Sequence, residues 1–158
     1  MIPRTLRLRL AALAAVLALP LAIAACANSP SGPDEQDRVA LLDALQRWEA
    51  QGARSYTFMV GPRCYCGVQE MRITVVDGVP TSRVYVRDGS PVPAALFHTL
   101  DTVDAMLAHV GSAISDNVAK LDATYDERGV PVEVFIDYSE NAIDEEFGWV
   151  VTSLTITP

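Results

Sequence analysis

Three cysteines, two histidines and twenty carboxylates hold most of the chemistry open to this 158-residue chain. Two thiols stand two residues apart, at Cys64 and Cys66. On an extended strand such residues point to one side, with Cβ atoms about 6–7 Å apart. A disulfide needs Cβ atoms about 3.5–4.5 Å apart, so a bond here requires a bend. Gly61, Pro62 and Gly67 make bending feasible. Outside the cytoplasm neighbouring thiols tend to oxidise, and a local Cys64–Cys66 disulfide is the expectation. Its closed loop is so short that its stabilisation falls at the low end of about 0–5 kcal/mol. A strained pair would be easier to reduce, so a thiol–disulfide redox protein is the alternative from another class. Two thiolates are half of a zinc site, and nothing in the spacing of His98 and His109 completes it. No metal and no cofactor is expected.

The remaining candidates read as structure. His109 stands near the end of a predicted helix, where a charged imidazole would suit the helix dipole. Asp137, Glu140, Asp144, Glu145 and Glu146 crowd one loop. Their spacing is not that of a calcium loop and lacks its turn glycine, so they read as a solvated acidic hairpin. Gly-rich phosphate loops, His-Glu-x-x-His and Gly-x-Ser-x-Gly are all missing from the sequence. A single acidic loop does not make the paired carboxylates of a glycosidase. The expectation is a protein that is not an enzyme.

The third thiol, Cys26, decides the compartment. Arg4, Arg7 and Arg9 precede an apolar run from Leu10 to Leu21, interrupted by Pro20. The run is short for a membrane span and has the build of a secretion leader. It ends in Ile23-Ala24-Ala25-Cys26, which resembles a lipobox, the signal for lipidating a cysteine and cutting just before it. On that pattern residues 1–25 are a signal peptide that is removed. Residues 26–37 are then the lipidated Cys26 with a flexible tether, and 38–158 a single domain. Two acyl chains hold a protein stably on a membrane where one would not. The expected location is the extracytoplasmic face of a cell membrane, inner or outer, with no transmembrane segment in the mature form. Removing the leader leaves 133 residues with nine basic against twenty acidic side chains, a net charge of −11. Such a domain is repelled by nucleic acid, which excludes that partner.

These groups need elements to position them. Ala27 to Pro33 is small, polar and proline-rich, as a tether is. A first helix starts near Asp34 to Asp37, with Leu41, Leu42, Leu45 and Trp48 as its stripe and Gly52 as its stop. Tyr56, Phe58 and Val60 alternate as a strand that Gly61-Pro62 breaks. Met71, Ile73 and Val75 make a second strand, and Asp77-Gly78 a two-residue hairpin turn into a third. Pro80 marks that third strand as an edge or a bulge. Val84 and Val86 take one face of it; Arg83, Tyr85 and Arg87 take the other, as a solvated basic cluster. A second helix carries Leu100, Val103, Leu107 and Val110 and ends at Gly111. Three more strands follow near 118–125, 132–136 and 147–156. The fold class is α+β: an antiparallel sheet of about six strands, with two helices packed on one face, in the order α-β-β-β-α-β-β-β.

Several of these features recur together. Trp48 closes a helix, Tyr56 opens a strand, and Cys64-x-Cys66 follows. Tyr125-Asp126-x-x-Gly129-x-Pro131 then leads to Ile136-Asp137 and to Asp144-Glu145-Glu146. The pattern resembles a family of small bacterial lipoproteins classed as a domain of unknown function, over most of 38–156. The resemblance implies a secreted, lipid-anchored domain and carries no catalytic residue with it. The expected role is therefore binding at the cell envelope, to another envelope protein, a wall component or a small ligand. Arg83, Tyr85 and Arg87 are the candidate surface. A structural envelope lipoprotein with no discrete ligand is the third alternative.

Overall fold

A computed structural model of the protein describes residues 32–64, 67, 69–93 and 98–157, with only the backbone at His98. The expected leader over 1–25, Cys26, residues 27–31 and Cys66 lie outside the described residues. Helix α1 (Glu35–Gln51) begins where Asp34 accepts hydrogen bonds from the Gln36 and Asp37 amides, while Asp37 accepts one from the Asp34 amide. That reciprocal box satisfies amides that the first helical turn leaves free. The helix stops at Gly52, in the left-handed conformation with φ +59°. The described residues begin at Gly32, just ahead of the helix cap.

Six antiparallel strands follow in two meanders. The first comprises β1 (Tyr56–Arg63), β2 (Met71–Val76) and β3 (Val79–Tyr85). The second comprises β4 (Lys120–Tyr125), β5 (Pro131–Asp137) and β6 (Phe147–Ile156). Helix α2 (Val103–Ser115) lies between them in sequence. The spatial order β3-β2-β1-β6-β5-β4 joins the meanders through β1 and β6. The expected fold class and element order are those found.

The core lies between one sheet face and both helices. Tyr56, Phe58, Val60, Met71, Ile73, Val75, Val134, Ile136 and Trp149 point inward from the strands. Leu41, Ala44 and Trp48 meet them from α1, and Val103, Met106, Leu107, Val110 and Ile114 from α2. Tyr56 is the joint of this packing. Its ring stands edge-on to Trp48 at 5.3 Å, and its hydroxyl accepts the Val103 amide at 3.1 Å. The bond serves one of the free amides at the start of α2, beside the cap from Thr102. Burial pushes this phenol up to about 12.

Two sequence expectations fail locally. Gly61-Pro62 does not break β1, which runs on to Arg63. Pairing with β2 ends at Val60, and beyond it β1 pairs only with β6. Pro62 thus behaves as an edge residue, where a missing N–H interrupts no second ladder. Gly111 does not end α2, which continues to Ser115. A Cβ there would meet the Leu41 side chain at 3.5 Å, an ordinary contact, and Gly111 carries no positive φ that would stop the helix.

The turn between β4 and β5 locks the second meander beneath α1. Asp126 Oδ1 accepts the amides of Arg128 and Val130, each at 2.9 Å. Its Oδ2 holds the Arg128 guanidinium, which also donates to the Leu154 carbonyl on β6 at 3.1 Å. Gly129 has φ +89°, and a Cβ there would collide with the Ala44 carbonyl oxygen and come 2.9 Å from the Trp48 amide nitrogen. Gly129→Ala should therefore destabilise the protein by about 3 kcal/mol, from backbone strain and overpacking together. Gly89 also has positive φ, but its Cβ position is open, and Gly89→Ala should cost only about 1 kcal/mol. Urea unfolding of the two variants measures the difference; equal losses would show that α1 does not press on the turn.

Candidate functional site

The face opposite the helices carries no covering layer among the described residues, and strand register decides what stands on it. Arg63 lies across from Gly148, Gly148 from Phe135, and Phe135 from Asp122. In the next row Gly61, Val150, Glu133 and Thr124 follow the same path. Arg63, Lys120, Asp122, Thr124, Glu133 and Phe135 thereby line a groove of about 470 Å³ over four strands. Arg63 pairs with Glu133 at 3.0 Å and Lys120 with Asp122 at 2.9 Å. The Lys120 ammonium sits 5.4 Å from the centre of the Phe135 ring, within cation–π range. All four charges are more than half exposed, where such pairs contribute only about 0–1 kcal/mol each. They can exchange partners with a ligand at little cost. This arrangement presents two exposed ion pairs, a hydroxyl and an aromatic wall to a ligand.

The signal for the groove was present in β5. Phe135 alternates with Val134 and Ile136, so a large aromatic had to face away from the core. Without the register, nothing tied it to Arg63, some seventy residues earlier.

The solvated cluster expected on β3 does not exist as one. A bulge between Thr74 and Val75 places Val75 opposite Pro80 but Thr74 opposite Ser82. Thr81 is the extra residue, and one extra residue turns every later side chain to the other face. Arg83 then stands across from Ile73 and Tyr85 across from Met71, both on the core side. Arg83 meets Asp101 at 3.0 Å, with only 12% and 15% of the two side chains exposed. Tyr85 packs against the core. Arg87 lies past the strand end, exposed and paired with Asp88. Of the three, Arg87 is exposed, while Arg83 and Tyr85 are partly buried.

Cys64 follows β1 directly and is not a free titrating thiol. Its proposed partner Cys66 is outside the described residues. The motif residues around Asp126 and Gly129 are used in the turn beneath α1. A family profile described as "Family of unknown function (DUF6174)" matches residues 40–156. The chain belongs to this family. Its match with DUF6174 runs from α1 to the last residue of β6, and so spans the whole sheet. Comparison with curated proteins and with solved structures gives no significant match. Cys26 precedes the part of the chain that DUF6174 covers.

Within this DUF6174 domain His109 is not placed to interact with a helix end. It sits mid-helix, edge-on to Phe147 at 5.6 Å and 6.0 Å from Trp149. Its Nε2 is 2.9 Å from the Tyr138 hydroxyl. Burial pushes the imidazole below its ordinary range. Burial also raises the Tyr138 phenol, with a smaller contribution from the Asp116 charge. The unfolded chain therefore takes up a proton at His109 near pH 6.5, before the folded one does. Folding stability should fall as pH drops below about 6.5, and level off once the folded ring is protonated too. Denaturant midpoints across this range should show the loss, and His109→Gln should flatten it. An unchanged slope in the variant would assign the pH dependence to other groups.

Proposed function

We propose that this DUF6174 protein is a lipid-anchored lipoprotein of the extracytoplasmic membrane face, working by binding and not by catalysis. The lipobox-like Ile23-Ala24-Ala25-Cys26 supports the anchor. The uncovered sheet face supports the binding role, and the groove of Arg63, Lys120, Asp122, Thr124, Glu133 and Phe135 is the observation that carries it. Its exchangeable charges and aromatic wall suit a polar partner at the envelope. The Cys64–Cys66 pair acts as a local staple and does not turn over as a redox centre.

Cys26→Ser should move the protein from the membrane fraction to the soluble one, and remove an acyl mass from the purified chain. A variant that stays on the membrane would refute lipid anchoring at this residue. A photo-crosslinking residue at position 135 should capture one discrete partner, and charge reversal of Arg63 and Lys120 together should abolish the product. No capture at all would favour a structural lipoprotein without a ligand, and capture that survives the reversal would overturn the role of these two charges. Alkylation without reductant, followed by intact mass, should add nothing to Cys64 or Cys66. Two adducts would remove the staple.

A further inference from the structure

The chain enters the folded domain at one defined place. A Cβ on Gly32 would come 2.9 Å from the Val118 carbonyl oxygen, and the Asn117 side chain is 3.8 Å away. Pro33 is buried, and Asp34 caps α1. Gly32 is therefore seated at the corner where α2 hands over to β4. Six peptide units separate it from Cys26, and even fully extended they span at most about 20 Å.

Strand pairing shows what else lies at this end. Lys120 opens β4 across from Asp137, the last residue of β5. Phe147 opens β6 across from Ile136, and Arg63 closes β1 across from Gly148. The loop of 138–146 and the start of the cysteine segment therefore share the end where the chain enters. Ile143, at the tip of that loop, is 87% exposed. The opposite end carries the Asp77-Gly78 turn, bonded to the Arg54 carbonyl, and Tyr56 paired with Ile156. Helix α1 runs from the first end toward the second over 17 residues, or about 25 Å.

We infer that the domain stands end-on to the bilayer. The α2–β4 corner, the 138–146 loop and the end of β1 face the membrane, and the Asp77-Gly78 turn points away. The inference rests on the proposed anchor at Cys26. It also gives the groove an address. Arg63 and Lys120 lie at the membrane-facing ends of their strands, so the groove opens sideways close to the bilayer. It fits a partner that is itself held at the membrane surface.

The test uses the lipidated, isotope-labelled protein in nanodiscs of neutral phosphatidylcholine that contain a gadolinium-chelate lipid. Neutral lipid is chosen because Asp116, Glu140, Asp144 and Glu146 are exposed at this end, and anionic headgroups would repel them. Amides of Asn117, Lys120 and Ile143 should broaden several-fold more than those of Gly78, Gly129 and Thr155. Equal or reversed broadening, with an acyl mass present on Cys26, would overturn the end-on stance alone. A chain isolated from membranes without that mass would overturn the anchor, and the stance with it.

Discussion

The antiparallel pairing of β1 with β6 is the constraint on which the rest of the molecule depends. It joins residues about a hundred positions apart, from Tyr56 with Ile156 to Arg63 with Gly148. Without it the chain is two separate three-stranded meanders, each with one side to bury and one helix to cover it. With it there is one sheet and one core. The pairing also carries a bulge between Met59 and Val60. Beyond the bulge, Val60 faces Val151 and Pro62 faces Trp149, which sets the inward row that continues to Val134. The outward row of Arg63, Gly148 and Phe135 is the same register seen from the other side. The groove is thus a by-product of the pairing that closes the core.

Polar groups that would otherwise be costly inside are paired locally. Trp149 donates its indole N–H to the Pro131 carbonyl at 2.9 Å, and Tyr56 accepts the first amide of α2. Arg83, turned inward by the β3 bulge, is met by Asp101. Removing one partner of such a nearly buried pair leaves the other charge poorly solvated. The most basic-looking stretch of an acidic chain is therefore in part a structural device at the sheet edge.

The motif residues within the domain have structural work. Asp126 ties its own turn and holds Arg128 against β6, while Gly129 gives α1 room to lie on the turn. Trp48 and Tyr56 pack edge to face at the centre of the core. On the uncovered face, by contrast, side chains are constrained only by their neighbours. The residues that hold the shape and those that line the groove are thus two separate sets.

Much of the fold was legible in the sequence because its signals are local. Asp34 with Asp37, Gly52, and Asp77-Gly78 each act within a few residues, and periods of two and 3.6 reveal which residues share a face. The apolar stripe and Gly52 bounded α1 within a residue or two, and the Asp77-Gly78 turn was read with both residues at positive φ. What local signals could not supply was parity and distance. The single extra residue at Thr81 decides whether Arg83 faces water or Ile73, and only hydrogen bonding to β2 sets it. Gly61-Pro62 and Gly111 look like breakers until it is known that, among the described residues, the end of β1 pairs on one side alone and that α2 packs on through Gly111. The groove needs Arg63 beside Glu133, and that neighbourhood exists only once β1 and β6 have paired.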